Sequence, residues 1–193
     1  MESGDTLETA LARARAGDEN GFLMLWTDLN PRLLRYLRVL GCDDVDDVAS
    51  ESWLQAVRDL GRFHGSSSDE FRAWLFTIAR HRAIDDARSR VRLRDRLLAP
   101  LMTAAQRDRP DAGHSAEDEV LYGLSTRQAV ALVKKLSKDQ AEVVALRVIA
   151  GLDTEAVALM LGKSPGAVRV TLHRGLKALA KDPHVRALAG VTP

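Results

Sequence analysis

The chain contains one cysteine, Cys42, so no intramolecular disulfide can form and no cysteine cluster can hold a metal. Such a thiol reads as a small core residue. No apolar run approaches the roughly 20 residues of a membrane-spanning helix, which speaks against membrane insertion, and no signal-peptide pattern is expected. Neither sign of charge prevails, since 28 lysines and arginines stand against 27 aspartates and glutamates. Total charge therefore does not reveal a nucleic-acid partner. No Ser-His-Asp pattern, metal-ligand spacing or phosphate-binding glycine loop occurs, so the chain is read as a non-enzyme without catalytic residue, metal or cofactor. Strand-like alternation and internal repeats are also missing. A soluble, cytoplasmic, all-α protein fits these absences.

The charges that are present are unevenly placed. Every lysine lies at or beyond Lys134, and arginine dominates before it. The most informative stretch is GLDTEAVALMLGKSPGAVRVTLHRGLKALAK, residues 151–181. Gly151 ends one helix, Asp153 or Thr154 can cap the next, and Gly162 supplies a left-handed C-cap. Ser164 then caps a new helix with Pro165 at its first position. Val168, Leu172, Leu176 and Leu179 form the predicted apolar stripe of that helix. Arg169, Thr171, His173, Arg174 and Lys177 stand off it. Two helices around a short turn, the second basic on its open face, are what a helix-turn-helix brings to a major groove. A plain helical hairpin with a solvated basic face is the competing reading of the spacing.

Upstream, Asp5 with Glu8 resembles a capping box that opens a helix burying Leu7, Leu11 and Ala14. A second helix runs from about Asp18, carries Phe22, Leu25, Trp26 and Leu29, meets a possible kink at Pro31 and ends at Gly41. In DDVDDVASESWLQAVRDLGRF, residues Val45, Val48, Ala49, Ser52, Ala56 and Leu60 share one side. Asp47, Ser50, Glu51, Leu54 and Gln55 occupy the other, an acidic face that by itself reads as solvated, while the apolar Leu54 on it points to a protein partner. GRFHGSSSDE, residues 61–70, breaks the period and reads as a loop. Its flat rings, Phe63 and His64, are candidate walls of a pocket for an extruded base, with a surface turn as the default. A helix with core residues Phe71, Trp74, Leu75, Ile78 and Ala79 follows. It turns basic at Arg80, His81, Arg82, Arg88 and Arg90, a plausible phosphate track. Residues 97–114 read as a flexible linker between domains at 1–96 and 115–193. Ser115 with Asp118, and Ser137 with Gln140, open the next predicted helices.

Two segments, FRAWLFTIARHRAIDDAR and LSKDQAEVVALRVIAGLDTEAVALMLGKSPGAVRVTLHRGLKALA, resemble the second and fourth regions of bacterial sigma factors. With only these regions and a short linker, the chain resembles an extracytoplasmic-function sigma factor. The resemblance implies two all-α domains that bind core RNA polymerase and direct it to promoter DNA. It implies that Asp47, Ser50, Glu51, Leu54 and Gln55 dock on the polymerase clamp. Arg62, Phe63, His64, Ser66 and Asp69 belong to the loop that holds a flipped −10 base, with Arg80, His81, Asp85 and Arg88 on adjacent DNA. Arg169, Val170, His173 and Arg174 face −35 bases, while Ser164, Thr171 and Lys177 meet phosphates. An anti-sigma factor is a further implied partner. His81 stands where relatives usually carry Asn, Val170 where a polar residue is common, and Ser66, Ser67 and Ser68 lengthen the loop. A linker of about twenty extended residues at ~3.3 Å each spans roughly 65 Å. A spacer of about seventeen base pairs at ~3.4 Å needs nearly 60 Å. The alternatives are a helix-turn-helix regulator that binds DNA without polymerase, and a protein-interaction module that needs no basic faces.

Overall fold

Local capping residues set several of the helix ends. The computed structural model describes residues 2–98 and 123–188, all of whose regular elements are helical. The predicted linker beyond residue 98 and the Ser115–Asp118 opening lie outside the described residues. The first helix, α1, is Glu2–Arg15 and begins before Asp5, so the expected capping box there does not form. Its Glu8 is engaged elsewhere, accepting from the Ser68 amide at 3.0 Å. Helix α2, Glu19–Leu40, is capped by Asp18, whose carboxylate accepts from the Asn20 amide. Arg13, then the Asn20 amide, hold that carboxyl below its ordinary range. The helix passes through Pro31 as one element and ends at Gly41 in the left-handed conformation.

Helix α3 is Val45–Asp59, capped by Asp44. A 3-10 turn over Leu60–Arg62 leads through a short loop into α4, Ser68–Leu98. These four helices enclose the first core, built on Leu25, Leu29, Leu33, Tyr36 and Leu37 of α2, Val48 and Ala56 of α3, and Phe71, Leu75 and Phe76 of α4. Trp53 is buried, its edge against Phe22 and its indole N–H on the Asn30 carbonyl at 3.0 Å. Cys42 is half-buried, and burial pushes its thiol up to about 11, so it stays protonated and inert near neutral pH.

The second module holds α5 (Gly123–Lys134), α6 (Lys138–Val144), α7 (Thr154–Leu161), α8 (Pro165–Leu179) and α9 (Pro183–Leu188). Ser137 occupies the N-cap of α6, yet its hydroxyl makes no capping bond, contrary to the expected box. Between α6 and α7 the backbone widens into a π-turn over Ala145–Ile149, closed by the Ala150 amide on the Ala145 carbonyl at 2.9 Å. The Arg147 guanidinium secures it by donating to the Leu152 carbonyl. Helix α8 departs from its predicted stripe. Leu176 is exposed, and Gly175 is buried in its place. A Cβ at Gly175 would lie 2.8 Å from the Val144 Cγ2, so the absence of a side chain brings α8 down onto α6.

The two modules pack together. Helix α2 meets α5, α6 and the π-turn, and α4 meets α7. Arg80 on α4 donates to the Glu142 carboxylate on α6 at 2.8 Å, with both side chains mostly covered. Arg72 reaches the Gly151 carbonyl at 3.4 Å. A cleft of about 490 Å³, lined among others by Arg32, Arg35, Val130 and Val148, remains beside this contact.

Backbone approach also governs α1 against α2. A Cβ at Gly21 would stand 2.6 Å from the Ala14 nitrogen and 2.7 Å from the Ala10 carbonyl oxygen. Backbone atoms cannot step aside as a side-chain tip can. Gly21→Ala gains about 1 kcal/mol of helix propensity but overpacks by about 1–3 kcal/mol or more. Net destabilisation of the first module is expected in urea unfolding. Unchanged stability would mean that α1 and α2 cross further apart.

Candidate nucleic-acid and partner interfaces

The first candidate surface is the outer face of α3. Because Val45, Val48, Ala49, Ser52, Trp53 and Ala56 turn inward, Asp47, Ser50, Glu51 and Leu54 are exposed, and Gln55 is half-buried. Leu54 is 56% exposed on a carboxylate-rimmed face. Val57 and, on α2, Leu23 and Trp26 are exposed as well. Trp26, one of the apolar residues that the predicted second helix carries, is thus turned to the surface. Phe22 and Asn30 both contact Trp53, and Trp26 lies four residues from each, on the same side of α2. The helical period marked this residue as apolar but could not show that its neighbours reach Trp53 first. The acidic face is also braced. Arg82 of α4 forms an ion pair with Glu51 and donates to the Gln55 carbonyl at 3.1 Å.

The second surface begins at the loop before α4. Phe63 turns inward rather than forming an open wall, stacking on Trp74 with ring centroids 5.0 Å apart and meeting the edge of Phe71 at 5.6 Å. Arg62, His64 and Ser66 are exposed. The serine run is held in place. Ser66 and Ser67 amides donate to the Glu70 carboxylate, and the Ser68 amide donates to Glu8. The first two amides hold the Glu70 carboxyl below its usual range, so this brace stays ionised at neutral pH and is lost only in acid. Asp69 pairs with Arg72 at 2.9 Å.

Further along α4, His81, Asp85 and Arg88 are exposed, the last two 3.5 Å apart. Arg80 is committed to Glu142 and mostly covered. From Ser68, Arg80 lies about 18 Å and Arg88 about 30 Å along the helix axis at ~1.5 Å per residue. Loop and helix together therefore form a track long enough for several nucleotides.

The third surface is α8. Asp153 caps α7, Gly162 ends it at φ 63°, and Ser164 accepts from the Ala167 amide at 3.2 Å. Those caps fix a helix-turn-helix with Arg169, Val170, His173, Arg174 and Lys177 exposed, while Thr171 is half-buried. Arg169 is joined to Glu155 of α7 at 3.0 Å. Sequence separation gave no sign of that pair. Among the described residues no group of histidine, cysteine or carboxylate side chains could hold a metal ion, and no helix is long and apolar enough to cross a membrane.

Residues 25–93 match the family described as Sigma-70 region 2, and residues 126–179 match Sigma-70, region 4. The extracytoplasmic-function (ECF) RNA polymerase sigma factor SigD of Mycobacterium tuberculosis is 34% identical over 190 residues, covering 95% of this chain and 86% of SigD. SigX of Bacillus subtilis, an ECF sigma factor as well, is 30% identical over 165 residues, covering 84% of each chain. The ECF sigma factor BldN of Streptomyces coelicolor is 33% identical over 88% of this chain, which spans 62% of BldN. Two solved structures share the fold. CnrH in complex with the cytosolic domain of CnrY has a TM-score of 0.58 at 24% identity, covering 91% of this chain and 95% of that one. The sigma factor RpoE in complex with the anti-sigma factor NepR from Bartonella quintana has a TM-score of 0.58 at 23% identity, covering 83% and 94%.

The inter-module ion pair gives a direct test of the packing. Glu142→Arg sets two guanidiniums against each other and removes a charge-assisted hydrogen bond of about 1.5–3 kcal/mol. The modules should part, with a larger radius of gyration in small-angle scattering and unchanged helix content. An unchanged radius would mean that the apolar contacts of α2 hold the modules alone.

Proposed function

The chain belongs to the extracytoplasmic-function sigma factors, and on that premise we propose how it directs core RNA polymerase to promoters. The single observation that carries the proposal is the arrangement of three exposed surfaces, one acidic and apolar, two basic, on two separate helical modules. Residues 1–96 bind polymerase and open the −10 element, 97–114 link, and 115–193 read the −35 element. On α3, Asp47, Ser50, Glu51, Leu54 and Gln55 dock on polymerase. The Arg62–Asp69 loop captures an unstacked −10 base. His64 and Ser66 are among its outward side chains, and Phe63 supports them from beneath. Each captured stack returns about 1–3 kcal/mol, so strand opening needs no chemistry from the protein. His81, Asp85 and Arg88 follow the adjacent strand, joined by Arg80 once it leaves Glu142. The protein acts in the cytoplasm, and an anti-sigma factor is its regulator, as the RpoE complex with NepR suggests by likeness.

On α8, Arg169 and Arg174 are five residues apart and project about 140° from each other, so they cannot share a base. Arg169 lies nearest the inserted N-terminus and reaches base edges, with Val170 and His173 beside it. Arg174 serves the groove wall, and Ser164, Thr171 and Lys177 meet phosphates. The exposed Glu155 pair is worth about 0–1 kcal/mol, less than a base contact, and holds the Arg169 guanidinium in one pose before DNA arrives.

Reconstitution with core polymerase and transcription of a genomic library tests the function and yields the promoter. Absence of any promoter-specific transcript would refute it. Leu54→Asp should weaken core binding in a competition assay while changing stability by no more than about 0.5 kcal/mol. Wild-type competition would remove α3 from the interface. Arg169→Ala should cost about 1–3 kcal/mol and flatten the preference at one −35 position. Lys177→Ala should weaken all duplexes alike and lower the salt slope by roughly one unit. If Arg169→Ala weakens every duplex equally, that arginine does not read bases.

A further inference from the structure

The loop assigned to the −10 base is built into the first module by a helix that precedes the Sigma-70 region 2 match. Arg15, near the end of α1, donates through one guanidinium nitrogen to the Phe63 carbonyl and the Gly65 carbonyl, both at 2.6 Å. The same guanidinium lies 5.0 Å from the centroid of the Phe63 ring. Glu8, two turns earlier on α1, accepts from the Ser68 amide at 3.0 Å and its hydroxyl at 3.3 Å. Glu70 takes the Ser66 and Ser67 amides. The carbonyls on either side of His64 and the next three amides are therefore all engaged, and Phe63 is wedged on Trp74 below. The side chains of Arg62, His64 and Ser66 are left outward. Peptide groups in an exposed loop ordinarily bond water and shift freely. Here one charged nitrogen holds two of them while the guanidinium plane lies over the Phe63 ring, a combination that lysine lacks.

We infer that Arg15, seconded by Glu8, is a positioning residue for −10 base capture: α1 sets the loop in its base-accepting form before DNA arrives. The inference rests on the reading of this loop as the base-capturing element. Arg15 is exposed and bonds the loop, whereas Phe63, Phe71 and Trp74 also pack on one another. Its loss should therefore act on base capture rather than on folding or polymerase binding. Preorganisation of this kind lowers the ordering cost borne when the base is bound.

The test uses the full chain in holoenzyme on the promoter recovered by library transcription. Arg15→Ala, Arg15→Lys and His64→Ala are compared by core competition, closed-complex formation, thymine permanganate reactivity and preference among the four bases at the captured position. Arg15→Ala should keep core and closed-complex binding. It should lower reactivity and flatten the base preference by about tenfold each, the lower end of what one captured base contributes. Arg15→Lys, whose ammonium can still donate to both carbonyls but brings no planar group onto the Phe63 ring, should recover only part of the preference. If Arg15→Ala does not fold, the lysine variant decides the matter: full wild-type base preference overturns the inference, and a flattened preference upholds it. A purely structural strut would leave the base preference untouched, and that result in Arg15→Ala overturns the proposal. Should His64→Ala also change neither reactivity nor preference, the loop itself is not the base reader. If His64→Ala is defective and Arg15→Ala is not, only the role of α1 fails.

Discussion

The ion pair between Arg80 and Glu142 is a largely covered polar contact that ties the two helical modules together. It joins the first module to the second through a 2.8 Å hydrogen bond. Glu142 also lies against Tyr36, whose phenol is raised well above its usual range by burial first and by that carboxylate second. A promoter places its two elements nearly 60 Å apart across about seventeen base pairs at ~3.4 Å each. One molecule cannot keep this contact and occupy both elements. A single charge-assisted hydrogen bond contributes about 1.5–3 kcal/mol, small beside what polymerase docking and phosphate contacts supply. Opening then need not strand a charge, since Arg80 can exchange a carboxylate for a phosphate while Glu142 returns to water.

Around that contact the recognition surfaces are held stiffly. Helix α8 is seated by Gly175 on Val144, so its open face is fixed by backbone approach rather than by a long side chain. The −10 loop is tied by Arg15, Glu8 and Glu70 and wedged by Phe63 on Trp74. Arg82 of α4 braces the acidic face of α3. The modules are joined by the packing of α2 and α4 on the second module as well as by Arg80 and Arg72.

Much of this was legible before any coordinates. Short-range signals predicted the ends of α2, α7 and α8, because Asp18, Gly41, Asp153, Gly162 and Ser164 bond within their own turns. The outward set on α3 followed from period alone. Failures came where distant contacts decide. Leu176 fits the stripe by spacing, but Gly175 is what α6 admits, and a small residue in an apolar stripe was the available clue. Asp5 and Glu8 match a capping box, yet Glu8 finds Ser68 sixty residues away. Phe63 and Trp26 are both large and apolar, and only packing sends the first inward and the second out. The π-turn at Ala145–Ile149 has no sequence signature that we can identify.

The modules are joined in the free chain, and on the promoter they are expected to separate. Spin labels at Arg58→Cys and Lys181→Cys, in a Cys42→Ser background, read that separation by pulsed dipolar spectroscopy. The account predicts one short, narrow distance for the free protein. On the holoenzyme–promoter complex it predicts a shift of tens of ångströms toward the roughly 60 Å that the spacer imposes. An unchanged distance distribution on the promoter would contradict it.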